Sequence, residues 1–262
     1  MNKNQKWTAP KIRALKGKEK VVSLTAYDYS TARLMDETGI HIVLVGDSLG
    51  MTMLGYENTL PVTMEQMLHH TAAVARGVKH ALVVADMPFL SYQVTVPEAV
   101  RNAGRLLQEG GAAAVKIEGG RPMMDVVKRL VDVGIPVMGH LGLVPQSVHQ
   151  LGGYRQQARG EEDAARLLED AHALEDAGAF SIVLESIPDA VAAAVTAALA
   201  IPTIGIGAGP HCDGQVLVSY DALGLFEGPV PPFVKQYAQL GELMVEAVKA
   251  YAADVREGRY PQ

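Results

Sequence analysis

One cysteine, Cys212, in 262 residues leaves the chain nothing to build an internal disulfide from. Such low cysteine usage fits a reducing compartment, and the cytoplasm is the expected location. No catalytic-cysteine signature surrounds Cys212, so a small core or loop residue is favoured there over a nucleophile. There is no basic block, and 29 acidic side chains outnumber 23 basic ones, giving a net charge of −6. Nucleic acid is therefore not an expected partner. No run of about 18 apolar residues occurs, so no membrane-spanning helix is expected. The basic N-terminal stretch is not followed by an apolar segment and does not read as a secretory signal. Low-complexity segments and short repeats are also missing. No tight His/Cys cluster marks a structural zinc site.

What is present is a globular composition, 48% hydrophobic and 20% charged, organised as short apolar runs alternating with helical patterns. The runs 21–25, 42–45, 81–85, 113–117, 136–139, 181–184, 202–206 and 216–219 read as parallel strands buried on both faces. Between them, Thr63 with Gln66 and Thr95 with Glu98 give capping-box signals. The stretches 163–177 and 189–199 are rich in good helix formers. Gly39, Gly77, Gly110, Gly134 and Gly178 stand where helices should end. Eight such units predict a single (β/α)₈ barrel domain over residues 1–262, with an N-terminal arm at 1–20 and a closing C-terminal helix at 233–257. A doubly wound open sheet is the competing architecture. The segment after His140 is longer than most strand-to-helix loops and reads either as a lid or as a surface loop.

Ionisable residues fall where the strands end: Asp47, Asp86, Lys116 and Glu118, His140, and Glu185. In a parallel barrel all strand C-termini open on one face, so these side chains should meet in one pocket. Taken singly, each carboxylate reads as a helix cap or a surface ion pair. Taken together, Asp47, Asp86 and Glu118 suit Mg²⁺, a hard cation that takes few carboxylates and fills its shell with water and substrate oxygen. Lys116 and Glu118, two apart on one strand, share a face. Lys116 suits a substrate carboxylate or a developing oxyanion, or else a buried structural ion pair. Ser48 adds a hydroxyl beside Asp47. Glu185 is the best candidate for a base acting next to a carbonyl. His140 suits an oxyanion contact or a proton shuttle. The Gly205–Gly209 loop (GIGAG) permits close backbone approach of a phosphate or another flat group, a weak signal by itself.

The strings TAYDYSTA (25–32), LVGDSLGMTMLGY (44–56), TLPVTMEQM (59–67), ADMPFLSY (85–92), AVKIEGG (114–120), MGHLGLVPQS (138–147) and IGIGAGPHCDGQVLV (204–218) together resemble the ketopantoate hydroxymethyltransferase family. They run through most of the chain in order. The resemblance implies a Mg²⁺-dependent (β/α)₈ barrel enzyme. It would pass a hydroxymethyl group from 5,10-methylenetetrahydrofolate to 3-methyl-2-oxobutanoate, in pantothenate biosynthesis. It also implies Asp47, Asp86 and Glu118 as metal-site carboxylates, Asp47, Ser48, Asp86 and Lys116 as keto-acid contacts, Glu185 as proton acceptor and His140 within the site. Self-association into a homodecamer is implied as well. Arg155, Ala158, Tyr220 and Pro232 depart from the family pattern, which has Lys, Gly, His and Lys there. A related barrel enzyme working on Mg²⁺-bound 2-oxo acids without folate, and a catalytically silent binding module, are the alternatives.

Overall fold

Eight parallel strands close on themselves in sequence order in a computed structural model of the chain, described for residues 6–225, 228 and 230–261. They are β1 (Val21–Thr25), β2 (Ile42–Val45), β3 (Leu82–Asp86), β4 (Ala114–Glu118), β5 (Val137–Gly142), β6 (Ser181–Glu185), β7 (Thr203–Ile206) and β8 (Gly214–Leu217). The order β1 to β8 has no reversal, which excludes the doubly wound sheet. The expected strands 81–85 and 113–117 are each displaced by one residue, and 216–219 by two. The last shift follows from Asp213, whose carbonyl accepts from the Val21 amide and brings the chain beside β1 before Val216.

Period-two alternation decides what fills the barrel. Leu82 and Val84, Ala114, Met138, Val183 and Ile204 form one buried apolar cluster with Ile42, Leu44 and Val216. Further along the same strands, at the same parity, stand Asp86, Lys116, Glu118, His140 and Glu185. One strand face is thus apolar at the N-terminal end of the barrel and ionisable at its C-terminal mouth. The other end is plugged by the short helix Ala9–Arg13, whose Ile12 is fully buried in the apolar cluster. This helix and the turn after it occupy the expected N-terminal arm, of which residues 1–5 lie outside the described part.

Local signals explain most helix ends. At the start of the helix Met64–Gly77, Thr63 and Gln66 make both bonds of a capping box. At Thr95 only half of it forms: its hydroxyl accepts from the Glu98 amide at the head of the helix Val96–Gln108. Gly77 and Gly110 are not the left-handed stops expected of them; Gly111 takes that conformation, with φ +74°. Gly77 is required for packing instead, because a Cβ there would lie 2.6 Å from the Tyr29 carbonyl oxygen.

By its internal contacts the chain divides into two units, Met1–Val216 and Leu217–Gln262. The second contains a short helix, Ser219–Ala222, and the helix Leu240–Arg256, which begins later than the expected 233. Before it the chain returns to the short helix through bonds from the Tyr237 amide to the Ala222 carbonyl and from the Leu240 amide to the Leu223 carbonyl. None of the residues of Leu240–Arg256 is buried. Among the described residues no helix is long and apolar enough to cross a membrane.

At the N-terminal ends of the strands, a buried and a half-buried carboxylate tie down backbone. Asp36 accepts from the amides of Lys79, His80 and Ala81, just before β3. Glu175 does the same for Ala200 and Ile201, before β7. An unsatisfied buried donor costs about 1–3 kcal/mol. Asp36→Ala is therefore expected to lower the unfolding free energy by roughly 2–4 kcal/mol, read from denaturant titration. A loss below about 0.5 kcal/mol would show that water replaces these bonds at no cost.

Candidate active site

Strand register brings the expected residues together. Asp86 on β3 is level with Lys116 on β4, Glu118 is level with His140 on β5, and Gly142 is level with Glu185 on β6. Lys116 Nζ stands at the centre, 3.2 Å from Asp86 Oδ1, 3.2 Å from His140 Nδ1 and 4.0 Å from Glu118 Oε1. The other ring nitrogen of His140 lies 3.1 Å from Glu185 Oε2, and Nδ1 is 3.5 Å from Glu118 Oε1. Asp47 follows β2, and its amide donates to Asp86 Oδ2 at 3.1 Å. The contacts form a continuous path across the mouth, Asp47–Asp86–Lys116–His140–Glu185, with Glu118 alongside. Asp47, Asp86, Lys116, Glu118 and His140 are all buried, while the Glu185 side chain keeps 16% of its surface open. The partner that sequence gave no hint of beside Glu185 is His140, supplied by the neighbouring strand.

Ser48 lies at this site through Tyr27, with the two hydroxyls 2.8 Å apart. At the loop Gly205–Gly209 the close approach is made at Gly209 by a side chain of this chain. The Asp189 carboxylate packs against Gly209, where a Cβ would meet it at 2.4 Å. A second anionic group would face that carboxylate.

Two uncharged residues complete the site, and sequence reasoning passed over both. Gln146 is buried, and its Nε2 donates to Asp47 Oδ2 and to the Met87 carbonyl, both at 2.9 Å. Its Oε1 accepts from the Tyr92 hydroxyl at 2.9 Å and from Gln93 Nε2 at 3.1 Å. The Gln146 amide donates to Glu118 Oε2 at 2.9 Å, and the Tyr92 hydroxyl accepts from the Glu118 amide at 3.0 Å. Their signal was present in the matching strings ADMPFLSY and GHLGLVPQS, but charge-based reading does not select neutral side chains.

The long segment after β5 holds Gln146 in a turn, Pro145–Ser147, followed by the helix Val148–Leu151. It then returns to the barrel where the Gln157 amide donates to the Ser186 carbonyl, next to Glu185. Ala158 takes φ +53°, a conformation glycine favours, which accounts for the glycine of the family pattern at that position.

The electrostatics follow from burial and crowding. Burial, then Asp86 and Glu118, push Asp47 well above the usual carboxylate range, against Lys116 and the Gln146 bond. Asp86 is also raised, chiefly by burial, with Lys116 opposing. Burial would lower Lys116, but Asp86, Glu118 and Asp47 outweigh it and hold the ammonium charged. Burial would raise Glu118, yet the nearby His140, then Lys116 and the Gln146 amide, keep it below its ordinary value. On His140, burial and Lys116 act downward, but Glu118 and Glu185 prevail and its pKa rises.

A closed (β/α)₈ barrel with ionisable residues gathered at the strand C-termini is the architecture of a barrel enzyme. Comparison with known proteins narrows this. Residues 6–262 match the family model described as ketopantoate hydroxymethyltransferase. The 3-methyl-2-oxobutanoate hydroxymethyltransferase of Syntrophus aciditrophicus is 58% identical over 261 residues, covering 99% of this chain and 96% of the relative. That of Moorella thermoacetica is 55% identical, covering 100% and 97%. The chain belongs to the ketopantoate hydroxymethyltransferase family and is a transferase. The fold is shared more widely. A phosphonopyruvate hydrolase solved with oxalate and Mg²⁺ superposes with a TM-score of 0.64 at 14% identity, over 98% of this chain and 88% of that one. A 2,3-dimethylmalate lyase of the PEP mutase/isocitrate lyase superfamily gives 0.63 at 19%, over 96% and 86%.

The folded state raises the pKa of Asp47, so it favours the proton there. Stability from this group is present below the unfolded value, near 3.8, and is lost as pH rises through the folded value. Asp47→Asn removes that loss. The metal-free variant should melt a few degrees above the metal-free parent at pH 7–8, with each kcal/mol worth about 2–4 °C. Near pH 3.8 the gap should shrink. A lower melting temperature at pH 7–8 would mean that Asp47 is ionised and satisfied without a cation.

Proposed function

We propose that this chain transfers a hydroxymethyl group from 5,10-methylenetetrahydrofolate to 3-methyl-2-oxobutanoate, giving 2-dehydropantoate for pantothenate and coenzyme A biosynthesis. The observation that carries this reading is the path from Asp47 to Glu185, which sets a cation-poor carboxylate cluster beside a half-buried base that solvent still reaches. The sequence match over nearly the full length supports the same substrate. A cytoplasmic location goes with it, as for a biosynthetic enzyme.

The carboxylate cluster fits a divalent cation. Asp86 Oδ1 and Glu118 Oε1 are buried oxygens whose close partners are the ionic groups of Lys116 and His140, and the charge they share with Asp47 exceeds what Lys116 balances. Among the described residues no three ligand-type side chains form a ready cage. Mg²⁺ does not require one, because it keeps several water or substrate ligands. Asp47, Asp86 and Glu118 would hold it, directly or through water. When bound, the cation supplies Lewis-acid polarisation of the keto oxygen.

The chain's own residues do the rest. Lys116 presents a fixed ammonium to the substrate's carboxylate or to negative charge developing on its oxygen. Ser48, set by Tyr27, offers a hydroxyl to the same group. Glu185 Oε accepts the proton from C3 of the keto acid. His140, with Nδ1 accepting from Lys116, turns Nε2–H toward Glu185 and fixes the direction of that carboxylate. The C3 carbanion equivalent then attacks the folate's methylene carbon as one of its two C–N bonds breaks; water displaces the remaining nitrogen, supplies the hydroxyl and releases tetrahydrofolate. Holding both reactants in register supplies the entropic advantage.

Glu185→Gln keeps the shape and removes the base. The C3–H of 3-methyl-2-oxobutanoate should exchange in D₂O with Mg²⁺ and the parent protein, followed by NMR. In the variant, exchange should fall by roughly 10²–10⁴-fold. Exchange at the parent rate would remove Glu185 from this role.

Self-association, with a homodecamer as the expected state, belongs to the same reading. The helix Leu240–Arg256 supports it by exposing Leu243, Met244, Val248, Tyr251 and Val255. Sedimentation velocity of the intact chain should give an oligomer, and a monomer at micromolar concentration would overturn this part.

A further inference from the structure

We infer that Gln146 is a positioning residue that sets the cation-binding geometry of Asp47 and Glu118 and links it to the seating of the segment after β5. The inference rests on the carboxylate cluster being a divalent-cation site, as proposed above.

The bonding of Gln146 permits one residue type and one orientation. Nε2 faces two acceptors, Asp47 Oδ2 and the Met87 carbonyl, while Oε1 faces two donors, Tyr92 and Gln93. Turning the amide over would set its oxygen against Asp47 Oδ2 and the Met87 carbonyl, two groups that can only accept. A glutamate would set a carboxylate against Asp47. A hydrophobic side chain of similar length would leave Asp47 Oδ2 and the Met87 carbonyl without their donor.

The consequence falls on the carboxylates. Gln146 occupies Asp47 Oδ2, and among the described residues no hydrogen bond reaches Oδ1. Its backbone amide occupies Glu118 Oε2 and leaves Oε1 without one. One residue therefore holds one oxygen of each of two carboxylates and leaves the other oxygen of each for a cation. Because Gln146 sits at the first turn of the segment that runs on to Gln157 and the Ser186 carbonyl, this arrangement exists only when that segment is seated. Outer contacts of this kind are typically worth 10–100-fold in metal affinity.

Mn²⁺ titration followed by EPR, with and without 3-methyl-2-oxobutanoate, tests this without relying on turnover. Gln146→Met should raise the Mn²⁺ Kd by roughly 10–100-fold. Gln93→Ala, which removes one donor to Gln146 from a half-buried position, should shift it the same way by less. Asp36→Ala loosens the opposite end of the barrel and should leave the Kd unchanged. A Gln146→Met protein with the parent Kd overturns the inference. If that variant does not fold, Gln93→Ala with the parent Kd overturns it. A shift in Asp36→Ala as large as that in Gln146→Met would assign the effect to general loosening and also overturns it. A parent protein that binds no Mn²⁺ removes the cation site itself, and both readings fall together.

Discussion

Burying three carboxylates within reach of one ammonium is the constraint on which the rest of this structure depends. Separately, each charge would be expensive to remove from water. Gathered around Lys116 they form a cluster that is compensated in part, and the residual strain shows in the upward push on Asp47 and Asp86. Such a cluster needs rigid support, which eight strand ends provide better than loops do. It also needs a neutral shell that donates to the carboxylates without adding charge. The Gln146 side chain and the amides of Asp47 and Gln146 form that shell, with the Tyr92 hydroxyl holding Gln146.

The chain uses the same functional group in opposite ways at the two ends of the barrel. At the N-terminal end both oxygens of Asp36 and one of Glu175 are filled by backbone N–H groups, and their role is to fix the approach to β3 and β7. At the mouth, Asp86 Oδ1 and Glu118 Oε1 meet no backbone N–H, only the ionic groups of Lys116 and His140. A saturated carboxylate is a structural tie, whereas an under-satisfied buried one has affinity to spare for a cation or substrate.

Much of this was legible in the sequence because the barrel makes position along a strand equivalent to depth. A polar residue that interrupts an apolar run marks the strand's C-terminal end, and this was enough to bring Asp47, Asp86, Lys116, Glu118, His140 and Glu185 into one group. Pairings across strands were not legible, since they depend on register: the His140–Glu185 contact spans β5 and β6. Gln146 and Tyr92 were not selected because a neutral side chain acquires its role only from what surrounds it. Helix ends failed where packing outweighed local preference, as at Gly77, whose missing Cβ serves the approach of Tyr29 and not a helix stop. The late start of the helix at Leu240 reflects the hydrogen bonds that tie Tyr237 back to Ala222.

Closure of the sheet has a consequence for assembly. A ring of strands paired from β1 through β8 has no free edge on which a foreign strand could be templated. The familiar route to runaway polymerisation by strand addition is thereby shut. Copies of this chain that associate must meet through helices and loops, where the symmetry of the contact decides whether the assembly closes.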